Sequence, residues 1–212
     1  MIYIAGHSLG AARAALYAFS RIKRGLPVDG VFLFGCPRPG DAMIRDALSQ
    51  IPVRSIKNGD DPITDVPLDI ELIDEDYCQP RDFEAVNVPW NDSLPDWGPF
   101  NAHHIELYQE GCKSLPDNTT LLIVAQAVYD LYNLLGEWDW VHPEDGRYWG
   151  MRKSGNDRIL VARGSTTPYD WVEDFRAIQC TQMGARVSEG FWDGVGPIMA
   201  ILDTACDLSV RG

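Results

Sequence analysis

Apolar residues fall along this chain in short blocks that alternate between two periods. Ile2, Tyr3, Ile4 and Ala5 form a compact run of strand formers. Ala11, Ala12, Ala14, Ala15, Leu16, Ala18, Phe19 and Ile22 then supply helical propensity and an apolar stripe, with Arg21, Lys23 and Arg24 in the last turn and Gly25 at the stop. Gly30 to Gly35 (GVFLFG) is apolar without alternation, the pattern of a strand buried on both faces. Asp41 is placed to cap a short helix carrying Ala42, Met43, Ile44, Ala47 and Leu48. Val53 to Lys57 reads as a further strand, ending in the turn signal Asn58-Gly59. Strands and helices in this alternation predict parallel βαβ units.

A strand buried on both faces needs neighbours on both edges, so the run at Ile2 must be joined by later sequence. Arg147 to Lys153 (RYWGMRK) and Arg158 to Arg163 (RILVAR) predict a hairpin around Ser154-Gly155-Asn156-Asp157. A final helix is predicted from about Glu189 to Asp207. Phe191, Trp192, Val195, Ile198, Met199, Ile201, Leu202 and Ala205 form its apolar face, and Gly194, Gly196 and Pro197 weaken its start.

Between the first strand and helix lies Gly6-His7-Ser8-Leu9-Gly10, which fits the Gly-x-Ser-x-Gly nucleophile elbow. The turn there is so tight that side chains at the two glycines would collide with neighbouring backbone, and the serine is left projecting beside the positive end of the helix. The alternative is a glycine-rich turn with a solvated serine.

Composition narrows the classes. The 212 residues, 45 % hydrophobic and 23 % charged, are enough for one sizeable core, so a single domain over 1–212 is expected. Eighteen basic against thirty-one acidic residues give a net charge of -13, which opposes binding to nucleic acid or to anionic membrane surfaces. No apolar stretch approaches bilayer-spanning length, which predicts no stable membrane insertion. No signal-peptide pattern precedes the elbow, which predicts a cytoplasmic location, with secretion by another route as the alternative. Cys36, Cys78, Cys112, Cys180 and Cys206 are odd in number and scattered, which predicts reduced thiols and neither a zinc site nor a disulfide scaffold. No metal and no cofactor are expected, and the oligomeric state is left open.

Several blocks together resemble one family. GHSLG with its alanine-rich helix, FGCPRPGD, NGDDPITDVP and AHHIELY resemble, in that order, the C-terminal half of the class 3 (fungal-type) lipases of the α/β-hydrolase fold. ILVARGSTTPYDWVEDF and RVSEGFWDGV resemble the N-terminal half of the same family. Residues 1–112 thus stand for the family's second half and 121–212 for its first, the order expected of a circular permutant. Asp69 to Phe100 and about Cys112 to Gly146 carry no such likeness. The polar stretch Lys113 to Thr119 (KSLPDNT) would join the family's usual ends, and Gly212 and Met1 are expected to lie close together. The fold implied is an α/β-hydrolase with a mostly parallel central sheet flanked by helices.

A serine hydroxyl needs a base to take its proton and a third group to hold that base in the right tautomer. Of the four histidines, His7 lies inside the elbow and resembles a structural residue of the family, and His142 belongs to a segment without likeness. His103, two residues before Ile105 and five before Tyr108, fits the family's catalytic histidine, and His104 is the alternative. The resemblance gives the orienting carboxylate as Asp61, at the C-terminal edge of its strand where open α/β sheets place their sites. Asp60 and Asp65 compete with it as turn acids. Ser8, Asp61 and His103 keep the α/β-hydrolase order.

For the oxyanion hole the resemblance points to the Leu9 amide and to Ser165, through its backbone and hydroxyl. Ser188-Glu189 stands where the family often has a histidine before Gly-Phe, and Thr166 to Trp171 falls in the family's lid region but is polar. Trp90, Trp97, Pro99 and Phe100 would either line an acyl pocket or pin a long loop. The implied activity is hydrolysis of a small ester or acylglycerol, as in lipid degradation, through an acyl-enzyme. A thioesterase or amidase using the same groups, and a silent binding or structural module, are the alternatives.

Overall fold

β1 (Ile2–His7) is wholly buried because it is wedged between two parallel neighbours, β2 (Gly30–Phe34) and β7 (Asp157–Ala162). The computed structural model describes residues 1–66, 77–144, 147–164 and 179–207. These form a seven-stranded sheet in the order β4-β3-β2-β1-β7-β6-β5 and a separate β8-β9 ribbon. β3 (Val53–Asn58) and β4 (Phe83–Val86) extend the parallel run beyond β2. β5 (Trp140–Glu144) and β6 (Arg147–Ser154) complete the other edge as antiparallel strands, β6 and β7 closing at the Ser154–Asp157 pair. The sheet is therefore mostly parallel, and its two halves come from distant parts of the sequence.

Side-chain alternation sends each central strand into both cores. Ile2, Ile4, Val31, Leu33, Leu160 and Ala162 face one helical layer, while Tyr3, Ala5, Phe32, Phe34, Ile159 and Val161 face the other. α1 (Leu9–Lys23), α2 (Ala42–Leu48), α5 (Glu189–Trp192) and α6 (Met199–Asp207) pack on the first face. α3 (Ile105–Gly111) and α4 (Thr119–Asn133) cover the second. β1 is buried on both faces, which is why its run is continuously apolar.

Local chemistry sets the boundaries. β2 stops at Phe34 because Gly35 turns to φ +56, a conformation that ends a strand. Asp41 caps α2 by accepting the Met43 amide at 3.0 Å. The final helix differs from expectation. It is broken into α5, a 3₁₀ turn at Gly196–Ile198 and α6, because Gly194 and Gly196 weaken the backbone and Pro197 cannot donate to a preceding turn. Tyr17 and Arg21 of α1 both donate to Asp203, pinning α6 to α1. The ribbon of β8 (Gln179–Gln182) and β9 (Ala185–Ser188) is tied to the loop after β2 by Ser188 N–H to the Pro39 carbonyl, 3.0 Å.

The Arg158 amide donates to the Met1 carbonyl at 2.9 Å, and the Arg158 guanidinium donates to the Cys206 carbonyl at 2.7 Å. The start of β1 and the end of α6 thus meet at one residue; Gly212 lies outside the described residues. The stretch expected to be a polar connection begins with a 3₁₀ turn at Cys112–Ser114, and Arg54 donates to the carbonyls of Pro116 and Asp117.

Candidate active site

The turn from β1 into α1 is made by Ser8 in a strained conformation, φ 60° and ψ -134°. It holds because its surroundings leave no alternative. The Ser8 amide donates to the Phe34 carbonyl at 2.9 Å, and the Ser8 carbonyl already accepts the Ala11 amide at 2.8 Å. A Cβ on Gly6 would lie 2.3 Å from the Gly10 carbonyl oxygen, and one on Gly10 would lie 2.1 Å from the Ala162 carbonyl oxygen. The first glycine is thus required by the crossing of strand and helix. The second is required by β7, which belongs to the far part of the chain. Ser8 Oγ is buried and makes no hydrogen bond among the described residues, neither capping α1 nor bonding elsewhere. The Leu9 amide, at the first helical position, has no acceptor within the helix.

At the end of β3, Asp61 is fully buried and saturated with donors. Oδ1 accepts the Ile63 amide at 2.9 Å, while Oδ2 meets His103 Nδ1 at 2.5 Å and accepts the Tyr108 hydroxyl. Burial works to raise the Asp61 pKa, but the adjacent His103 and these hydrogen bonds outweigh it and hold the carboxyl below its ordinary value, so Asp61 is ionised. Asn58 fixes the segment that delivers the histidine. Its amide nitrogen donates to the carbonyls of Val88 (3.2 Å) and Ala102 (3.0 Å), and its oxygen accepts the Val88 amide.

His103 is the histidine that meets Asp61. His104 instead has Nε2 at 2.9 Å from the Pro95 carbonyl and its ring stacked on Trp97, centroids 3.8 Å apart. Trp97 therefore pins the loop ahead of the histidines. His7 stacks on His103, with centroids 4.5 Å apart and planes at 29°, bringing the residue before Ser8 against the imidazole that meets Asp61. His142 lies on the edge strand β5, stacked on Trp140. Asp60 is exposed, and Asp65 pairs with Lys57 at 3.3 Å. Ser165 and Thr166 to Trp171 lie outside the described residues. The residue before Ser165 does not: a Cβ on Gly164 would lie 3.0 Å from the Ser8 Cβ. A cavity of about 490 Å³ between β5, β6 and α6, lined by Trp140, Met151 and Ile201, shares no residue with this cluster.

The sequence marked Gly35 only as a strand end, Asn58 only as a turn signal and Tyr108 only as a spacing marker, and gave none of them a place in the site. Gly35 stands at the strand end facing the site, the one signal that could have marked it. A Cβ there would lie 2.8 Å from His103 Cε1, 2.8 Å from the Tyr108 hydroxyl and 2.9 Å from Asp61 Oδ2. With φ at +56, Gly35→Ala adds backbone strain to that displacement. The variant is expected to lose about a hundredfold in turnover, read in steady-state kinetics beside a melting curve.

Burial, foremost, and the neighbouring His103 hold the His7 pKa well below its ordinary 6.5, so the ring is neutral in the fold. Unfolded, it takes up a proton below about pH 6.5. Its contribution to stability is therefore present above that pH and is lost as pH falls toward the folded-state pKa, at up to about 1.4 kcal/mol per pH unit. His104, lowered chiefly by burial, acts with the same sign, whereas the contribution of Asp61 is fully present above its ordinary 3.8 and is lost only as pH falls below that value. Urea midpoints are expected to fall between pH 6.5 and 5, and His7→Asn to flatten that slope.

Among the described residues no helix is long and apolar enough to cross a membrane, and no group of three or more His, Cys, Asp or Glu could hold a metal ion. Residues 1–71 match the family model of the class 3 lipases, a span that contains Ser8, Leu9 and Asp61. No curated protein and no solved structure matches the chain.

Proposed function

Starting from that likeness to lipases over residues 1–71, we propose that the protein is a serine carboxylic-ester hydrolase acting through an acyl-enzyme. Ser8 Oγ attacks the ester carbonyl while His103 Nε2 takes its proton. Asp61 holds the other ring nitrogen protonated and balances the imidazolium that forms. Charge that develops on the carbonyl oxygen is met by the Leu9 amide and by Ser165. One such donor typically lowers the barrier by about 3 to 4 kcal/mol. The intermediate collapses as His103 hands its proton to the leaving alcohol, and water repeats the cycle on the acyl-serine, releasing the acid.

The observation that carries this reading is the buried Asp61–His103 contact at 2.5 Å, stacked on the residue before an elbow serine whose hydroxyl has no structural employment among the described residues. The closeness of Gly164 to Ser8 supports the role given to Ser165. The shared contact of Met1 and Cys206 with Arg158 supports the exchanged order of the two family halves.

A fluorophosphonate probe is expected to label the wild type at Ser8, and p-nitrophenyl esters to be hydrolysed. Faster turnover of acyl-CoA than of any p-nitrophenyl ester would reassign the leaving group to a thiol. A folded wild type that stays unlabelled would make the chain a silent module.

A further inference from the structure

One hydroxyl bridges the elbow strand and the backbone that follows β7. Tyr132 lies in the last turns of α4, outside the span matched to the lipases. Its oxygen accepts the Gly164 amide at 3.1 Å and lies 3.0 Å from His7 Nδ1 and 3.4 Å from the His7 carbonyl oxygen. The Arg163 guanidinium sits over its ring, 5.5 Å from the centroid. His7 in turn carries the stacked His103 ring.

These contacts are not interchangeable with packing. Gly164 leaves β7 beside the nucleophile, and the amide that follows it is the one assigned to the oxyanion hole. Gly164 lies close against the elbow: a side chain there would meet the His7 carbonyl oxygen and the Tyr132 hydroxyl at 2.8 Å and Ser8 Cβ at 3.0 Å. The β1–β7 ladder ends at the Gly6–Ala162 pair, and beyond it the Gly164 N–H is held by a side chain on a third element. Burial pushes the Tyr132 phenol pKa upward, so the hydroxyl keeps its proton; it can donate to the His7 carbonyl oxygen while accepting from Gly164.

We propose that Tyr132 is a positioning residue for the reaction: its hydroxyl ties Gly164 to the elbow strand, and through His7 supports the ring of the base. This rests on the hydrolase reading above. It goes beyond that reading by giving a role to a helix that the lipase match does not reach.

The test compares wild type, Tyr132→Phe and the control Tyr129→Phe, which alters the same helix one turn earlier, in the full chain. p-Nitrophenyl butyrate kinetics are read together with inhibition by an alkyl trifluoromethyl ketone, whose adduct with Ser8 places an alkoxide in the oxyanion hole. Tyr132→Phe is expected to lower kcat about tenfold with KM within twofold, and to weaken the ketone by the same factor, while Tyr129→Phe matches wild type. A kcat and ketone affinity within twofold of wild type would overturn the proposal, whatever happens to the melting temperature.

Should Tyr132→Phe fail to fold, 3,5-difluorotyrosine at position 132 keeps the ring and weakens the oxygen as an acceptor. A fall in kcat of about threefold is then expected, and an unchanged kcat overturns the proposal. Failure of the hydrolase reading looks different: wild type itself neither labels with fluorophosphonate nor turns over, which removes both ideas together.

Discussion

Ser8→Ala is expected to lower ester turnover by about 10⁴- to 10⁶-fold and to abolish fluorophosphonate labelling, with little change in stability. The two halves of that expectation come from the same geometry. The Ser8 hydroxyl neither caps α1 nor bonds to any other described group, so removing it orphans no partner. The strain at φ 60° is a backbone property that alanine inherits nearly unchanged. A melting temperature within a few degrees of wild type, together with lost turnover, is what a nucleophile without a structural role produces. Retained turnover would remove Ser8 from the reaction.

Asp61→Asn is the second large effect, about 10⁴-fold in kcat near neutral pH. The exchange preserves size but not hydrogen-bond sense. Asp61 Oδ1 accepts from the Ile63 amide, while Oδ2 serves both His103 and Tyr108. A carboxamide oriented to satisfy Ile63 presents its NH₂ to His103, which forces the imidazole proton onto Nε2, where it should be receiving one from Ser8. The flipped carboxamide sets its NH₂ against the Ile63 N–H instead. Either way the base is compromised or the loop is strained. Asp60→Asn and Asp65→Asn, at an exposed turn and at an exposed pair with Lys57, are expected to stay within twofold of wild type. A loss below tenfold for Asp61→Asn would show that the carboxylate does not orient the histidine.

Much of this was legible where a short-range pattern and a long-range requirement coincide. The apolar run at Ile2 demanded a partner from later sequence, and the RILVAR block supplies it as β7. GHSLG named the elbow, yet only the coordinates give the reason for its second glycine, which is the Ala162 carbonyl more than a hundred residues away. Spacing favoured His103 and left its neighbour His104 as the alternative, because what distinguishes them is a tertiary fact: one reaches Asp61 and the other Pro95. β4 and β5 were missed because they are edge strands with polar and aromatic residues mixed, Phe83-Glu84-Ala85-Val86 and Trp140-Val141-His142. Tyr132 had no sequence signal. The role proposed for it rests on contacts across 125 residues to His7 and 32 to Gly164.

The pairing of Ile2 with Arg158 also has a bearing on how the molecule comes into being. During synthesis β1, α1 and β2 emerge well before β7 and can associate as a local unit, but one hydrogen-bonding edge of β1 stays open until the strand containing Arg158 has followed. For all that time an unpaired, mostly apolar strand margin is offered to any other extended chain nearby. Refolding is therefore expected to be slow for a protein of this size, and its yield to fall steeply with concentration. The last event to restore order should be the docking of the β6–β7 hairpin, which closes the sheet and carries the Gly164 backbone to the serine in one movement.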